Sequence, residues 1–295
     1  MYGIMYIGVL MELCGYSQRQ YKEWVSRLEA VAGTSAGTVI GVMVAAGLDP
    51  WEMREIVHTC GMSRIMDGLL DATLSELTHT NAVSSGTCVD DVVKGLVQRV
   101  TGSAETTFKD FYTKTRRNFV VVVTNADTSM AEFWNHETRP GLELWRAIRC
   151  STSIPGLFPP PFVKGVAFFD GGVTCNLPCH LFPPEKTLSL FVHAVFKQPT
   201  HTKLVATILH GLMIYMSSAQ LGPMRMSHVL AFRAVPCCTH TADTGILGPY
   251  AFNVSVSAMD DLIRDGARSA RAVLTRDILL VIMLFIYAVL SVQKK

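Results

Sequence analysis

The stretch AGTSAGTVIGVMVAAG, Ala32 to Gly47, decides how the rest of the chain is read. Ser35 stands at its centre between Gly33 and Gly37, matching G-x-S-x-G, in which a serine sits on a tight turn between a strand and a helix. Upstream, Leu28 to Ala32 is a short apolar run broken by Glu29 and reads as a strand. Downstream, VIGVMVAA continues as an apolar helix that ends at Gly47, where glycine suits a C-cap. Taken alone, the five residues admit two readings: a glycine-rich turn with an N-capping serine, or a nucleophile on an elbow. The strand-to-helix setting is the one a nucleophile requires, because the helix dipole and its free N–H groups favour an anion there.

Composition narrows the field. The chain has 295 residues, with 26 Lys and Arg against 24 Asp and Glu, a balance that offers nucleic acid no basic footprint. Hydrophobic residues make up 49% and charged residues 17%, which places the chain among globular proteins that lean towards a membrane or a deep apolar pocket. The 8 cysteines are scattered, mostly inside apolar runs, as reduced core thiols are. Cys175, Cys179, His180, Cys237, Cys238 and His240 could be gathered into a metal site, yet no C-x-x-C pair anchors one, so no metal and no cofactor is expected. MYGIMYIGVLMELCG at the N-terminus has no basic residue before its apolar run and carries Glu12 within it; it reads as a helix rather than a signal peptide.

Further along, LDPWEM marks a helix start, with Asp49 as cap, Pro50 at the first helical position and Glu52 completing a capping box. Val92, Val93, Leu96 and Val100 recur at helical spacing over Cys88 to Val100. FVVVVT, Phe119 to Thr124, is apolar and β-branched throughout, as a strand buried on both faces is, and SLFVHAVF, Ser189 to Phe196, reads the same way. Helices alternating with buried strands predict an α/β fold with a mostly parallel central sheet covered by helices on both faces. Such folds place their chemistry at the carboxyl ends of strands.

An α/β-hydrolase uses a similar elbow but needs several strands before its nucleophile, and Ser35 comes too early in the chain for that. No histidine presents itself as the base: His193 lies in an apolar strand, and His210, His228 and His240 lie in segments without an accompanying carboxylate. FFDGGVTCNLP, Phe168 to Pro178, offers a better partner. An apolar pair delivers Asp170 to a Gly171-Gly172 turn whose glycines allow close backbone approach, although an ordinary Asp-Gly-Gly turn has the same sequence. A carboxylate is a weak base for a hydroxyl unless it is desolvated and in direct contact with it, and the apolar stretch PPPFVKGVAFF before Asp170 supplies such a setting.

Together, G-x-S-x-G near the N-terminus, Asp-Gly-Gly followed by Asn-x-Pro, and AIRCSTSIPGLFPP over Ala147 to Pro160 resemble the patatin-like phospholipases. The resemblance spans about Gly3 to Pro184 and includes YIGVL ahead of the elbow and TTFKDFYTKT before the central strand. It implies a Ser/Asp dyad, Ser35 as nucleophile and Asp170 as general base, that cleaves acyl esters of glycerolipids without a metal. It also implies that the two side chains meet at neighbouring strand ends. In that family a loop Gly-Gly-Gly-x-Arg/Lys-Gly following the first strand builds much of the oxyanion hole. Here Gly3 matches only its last glycine and Tyr2 stands where the basic residue would be, so the expected donors and motif positions are Gly3, Gly33, Ala36, Gly37, Gly171 and Gly172. The reduced loop gives a second functional reading, a catalytically impaired, membrane-associated lipid-binding or interaction protein of the same fold.

Residues Ile278 to Val292, ILLVIMLFIYAVLSV, carry no charge and are bracketed by Arg276-Asp277 and Lys294-Lys295. As a helix the run is about 22 Å long, short of the ~30 Å hydrocarbon core unless flanking cations snorkel. The expected organisation is an acyl-hydrolase domain over 1–275 and a hydrophobic tail over 276–295. That tail is expected to form an apolar C-terminal helix: its length suits a core element of the domain, while its apolar faces and terminal position favour a transmembrane or membrane-dipping anchor holding the protein at the cytoplasmic face of a membrane. The expected partners are a phospholipid or other glycerolipid and the membrane surface, with no nucleic acid.

Overall fold

A computed structural model describes residues 2–61, 82, 84–183, 186–194, 229–234 and 256–272. The central sheet has five strands: β1 (Ala30–Thr34), β2 (Asn118–Asn125), β3 (Ala131–Trp134), β4 (Phe162–Val163) and β5 (Val166–Asp170), in the order β1-β2-β5-β4 with β3 also paired to β2. Only β1 and β2 run parallel; β2–β3, β2–β5 and β4–β5 are antiparallel. The expectation of a mostly parallel sheet is therefore corrected to a mixed one. The physical reason lies in two tight connections. Asn125 turns the chain after β2, its Oδ1 accepting from the N–H groups of Asp127 and Thr128, so that β3 folds straight back. Lys164-Gly165, both at positive φ, closes the β4–β5 hairpin. A separate parallel pair joins β6 (Ser189–Ala194) and β7 (Val229–Ala234).

β2 is the axis of the fold. Phe119, Val121 and Val123 are buried on one face and Val120, Val122 and Thr124 on the other, so the strand is covered on both sides, as its unbroken apolar character predicts. The helices along the chain are α1 (Met5–Leu13), α2 (Gln18–Val25), α3 (Ala36–Ala46), α4 (Pro50–Thr59), α5 (Thr87–Thr101), α6 (Phe108–Thr115), α7 (Leu144–Ser151) and α8, residues 256–272. α3 crosses the Val31–Phe119 face, where Gly41 lets its backbone come close to both side chains, and Phe108 and Phe111 of α6 pack tilted and edge-on, respectively, against the Phe119 ring.

Local sequence explains the helix ends. Gly47 at φ 87 closes α3 in the left-handed conformation that glycine adopts without a Cβ penalty. Asp49 accepts from the Trp51 and Glu52 N–H groups while Glu52 reaches back to the Asp49 N–H, so the expected capping box starts α4 with Pro50 at the first position.

α8 is fastened across α1 and α4. A Cβ on Gly8 would lie 1.8 Å from the Ile263 carbonyl oxygen, and one on Gly266 would lie 2.1 Å from that of Met5, so the two backbones touch where only glycine fits. Arg54 grips Asp260 at 2.7 and 2.8 Å, and Arg271 grips Glu12 at 2.9 and 3.0 Å, both as two-pronged pairs. The apolar run Ile278–Val292, and with it the expected C-terminal helix and the boundary at 275, lies outside the described residues. Among the described residues no helix is long and apolar enough to cross a membrane.

Candidate active site

The elbow is built by close backbone packing. β1 runs straight through Gly33, where a Cβ would stand 2.6 Å from the Gly37 carbonyl oxygen and 2.8 Å from Thr38 Cα, so α3 can leave the strand at a sharp angle. Ser35 between them has φ 53 and ψ −127, a region that non-glycine residues enter at a cost of roughly 1–3 kcal/mol. Its surroundings hold it there: its N–H donates to Ser151 Oγ at 2.9 Å, and its carbonyl accepts from the Thr38 N–H at 2.9 Å and the Thr38 hydroxyl at 2.6 Å. Although Ser35 occupies the N-cap position of α3, its hydroxyl caps nothing. It donates instead to Asp170 Oδ2 at 2.5 Å.

Asp170 ends β5, paired with Val123, while Thr34 on the opposite side of β2 pairs with Val122. The nucleophile strand and the acid strand are thus separated by β2 rather than adjacent, and the two side chains meet across it; the expectation of neighbouring strands is corrected in that respect. Asp170 is fully buried. Its Oδ1 accepts from the Gly172 N–H at 2.7 Å, its own N–H donates to the Ser153 carbonyl at 2.9 Å, and its carbonyl accepts from the Thr124 hydroxyl at 2.8 Å. Burial pushes the carboxyl up to about 7, with the hydrogen bonds from Ser35 and Gly172 pulling the other way. The Asp-Gly-Gly segment is therefore both a turn, through Oδ1, and the partner of the serine, through Oδ2. Gly171 is needed for it: a Cβ there would lie 2.3 Å from the Val122 carbonyl oxygen.

The remaining motif residues gather at the mouth of the elbow. The N–H groups of Ala36 and Gly37 open α3 and have no acceptor among the described residues, and a Cβ on Gly37 would meet nothing within 4 Å. Gly3, in the single 3-10 turn Tyr2–Ile4, packs directly on Ala36, with only 2.6 Å from its would-be Cβ to the Ala36 Cβ. All eight motif positions thus surround one point at the start of α3. His210, His228 and His240, together with Cys237 and Cys238, lie outside the described residues.

Residues to which the motifs assign no role complete the frame. Ser151 and Ser153, both without exposure, link α7 to the two halves of the site. Arg149, itself buried, donates from Nε to Asp90 Oδ1 at 2.6 Å, to the Ser153 hydroxyl, and from Nη2 to the Pro159 carbonyl at 3.2 Å. Thr34 donates to the Cys175 carbonyl at 3.0 Å and so ties the strand before the serine to the segment after the acid. The signal available in sequence was the run of three hydroxyl residues in RCSTS, Ser151 to Ser153, at the end of the helix LWRAIRCS.

A strained serine on a strand-to-helix elbow, hydrogen-bonded to a buried carboxylate with no histidine between them, defines a serine–aspartate site. The chain belongs to the patatin-like phospholipase family, whose pattern its residues 1–183 match. Among curated proteins it is similar to R571 of Acanthamoeba polyphaga mimivirus, 22% identical over 195 residues that cover 64% of this chain and 61% of that one. It is similar also to the probable lipid hydrolase 463L of Invertebrate iridescent virus 6, 24% identical over 159 residues, 52% of this chain and 53% of the relative. The chain thus spans between about half and three fifths of the length of these relatives. Among solved structures, VipD from Legionella pneumophila superposes with a TM-score of 0.51 at 15% identity, covering 93% of this chain and 65% of that one, a likeness of fold.

Proposed function

We propose that the protein hydrolyses acyl esters of glycerolipids, with Ser35 as nucleophile and Asp170 as general base. The observation that carries this reading is the 2.5 Å contact between the Ser35 hydroxyl and a fully buried carboxylate. Asp170, poised at about 7, is matched to proton transfer at neutral pH, where a solvated carboxylate would be too weak a base. In the forward step Ser35 Oγ bonds to the acyl carbonyl carbon as its proton passes to Asp170 Oδ2. The negative charge that develops on the carbonyl oxygen faces the Ala36 and Gly37 N–H groups at the positive end of α3. Collapse breaks the ester bond, and the departing alkoxide takes the proton from Asp170, leaving the acyl group on Ser35. Asp170 then accepts a proton from water as it attacks the acyl-serine, and returns it to Ser35 when the fatty acid leaves.

The family, and the name of the iridescent-virus relative, support a lipid as the substrate class. The apolar run Ile278–Val292 with its flanking cations supports attachment to the cytoplasmic face of a membrane, which brings the site to a substrate that resides in the bilayer. The test is hydrolysis of fluorescent phosphatidylcholine, and separately of a triacylglycerol, presented in vesicles. Turnover by the wild-type chain that falls by at least about 1000-fold in both Ser35→Ala and Asp170→Asn is the expected result. Vesicle binding without turnover in the wild type would contradict it and favour the lipid-binding reading.

A further inference from the structure

We propose that the C-terminal end of α7 and the two residues that follow it are the positioning element of the dyad: the Ser151 hydroxyl sets the nucleophile and the Ser153 backbone sets the base, so that one short segment fixes both. The proposal rests on the Ser35/Asp170 reading above and gives a role to residues that lie outside both G-x-S-x-G and Asp-Gly-Gly and do not touch substrate.

The chemistry of the Ser151 hydroxyl is fully determined by its neighbours. At 2.6 Å it faces the Val122 carbonyl, which can only accept, so the hydroxyl proton points there. Its lone pair is thereby turned to the Ser35 N–H at 2.9 Å. Val122 is the residue of β2 that pairs with Thr34, immediately before the nucleophile, and its carbonyl lies where β5 turns away at Gly171. Ser151 therefore joins the axial strand to the strained residue itself, at the backbone atom whose orientation defines the positive φ. Two residues later the Ser153 carbonyl accepts from the Asp170 N–H at 2.9 Å, fixing the residue whose side chain receives the serine proton. Arg149 anchors the segment from its other side by donating to the Ser153 hydroxyl and to Asp90 of α5. Both serines are fully buried, so neither hydrogen bond competes with water.

Because catalysis by direct proton transfer depends on near-contact geometry, loss of the Ser151 bond is expected to lower kcat on a soluble ester, p-nitrophenyl butyrate, by about 10- to 100-fold in Ser151→Ala. KM should stay within about twofold, since no substrate contact is removed. Ser151→Thr, which keeps the hydroxyl, should recover much of the loss. Thr152→Ala is the matched control: its hydroxyl bonds the Ile148 and Arg149 carbonyls in the same helical turn and has no link to the site, so kcat should hold. Equal loss in Ser151→Ala and Thr152→Ala would overturn the proposal, as it would reduce the effect to a damaged helix end. A crystal structure of Ser151→Ala supplies a readout independent of turnover. If Ser35 keeps its positive φ and its contact with Asp170 there, positioning by Ser151 is refuted even if the protein is an active hydrolase. If Ser35 relaxes and the contact opens while the wild type shows no turnover, positioning stands and the hydrolase reading fails. Should Ser151→Ala not fold, Ser151→Cys, isosteric with a weaker acceptor, takes its place in the same comparisons.

Discussion

Replacing Asp170 by asparagine should stabilise the protein at alkaline pH, and the size of the effect follows from the burial of the carboxyl. Asparagine fits the same contacts: its carbonyl can accept from the Gly172 N–H and its amide can donate to Ser35 Oγ, which then accepts, so no partner is orphaned. What changes is the charge. The folded-state value of about 7 lies above the ordinary 3.8, so this group's contribution to stability is complete below about pH 4 and is lost as pH rises to about 7. At about 1.36 kcal/mol for each pH unit, the gap corresponds to about 4 kcal/mol by which ionised Asp170 weakens the fold at pH 8. Urea unfolding of the wild type and Asp170→Asn at several pH values between 4.5 and 8 measures it. Carboxylates held low elsewhere, among them Glu12, Glu132 and Asp260, titrate alike in both chains and cancel in the difference. The variant should gain on the wild type steadily from pH 4.5 to about pH 7 and then level off. A difference that is flat with pH, or an asparagine variant less stable at pH 8, would refute the desolvated carboxyl.

Three further outcomes follow from the packing. Arg149→Met should cost about 2 kcal/mol in urea unfolding, because it leaves the buried Ser153 hydroxyl without its guanidinium donor and removes the pair with Asp90, whose half-exposed carboxylate turns to water; a loss under ~0.5 kcal/mol would contradict the pairing. Gly8→Ala should destabilise by ~3 kcal/mol or more and loosen α8, since a methyl cannot sit 1.8 Å from the Ile263 carbonyl, and hydrogen exchange of residues 256–272 should quicken accordingly. Burial pushes the Cys14 thiol up and lifts those of Cys150 and Cys175 to about 12 and about 11, so iodoacetamide at pH 8 should leave all three unmodified in the native protein while urea exposes them. Rapid native labelling of Cys150 would refute its enclosure.

The elbow was legible because its constraints are local. Glycine at 33 and 37, an apolar strand before and an apolar helix after are all set within the twenty residues from Leu28 to Gly47, and the capping box at Asp49 is likewise written in adjacent positions. Asp170 became legible as a partner only through its resemblance to a family pattern, since its approach to Ser35 spans 135 residues of chain and depends on register to β2. The direction of the strands was not legible. β3 and β4 have four and two residues, too short for a periodic signal, and the Asn125 turn that reverses the chain resembles any polar loop. Ser151 and Ser153 stand within AIRCSTSIPGLFPP, yet their role was not legible because a hydroxyl near a helix end is ordinarily a local hydrogen-bonding residue, and their partners are distant in sequence.

The central claim, that Ser35 is a nucleophile served by Asp170, is tested most directly by covalent trapping. The protein is incubated with an alkyl fluorophosphonate, the modified residue is located by peptide mass spectrometry, and the rate of labelling is followed against pH. The account predicts modification at Ser35 alone, with a rate that rises through a single ionisation near pH 7 and collapses in Asp170→Asn. Labelling at another residue, or labelling of Ser35 that is indifferent to the loss of Asp170, would contradict it.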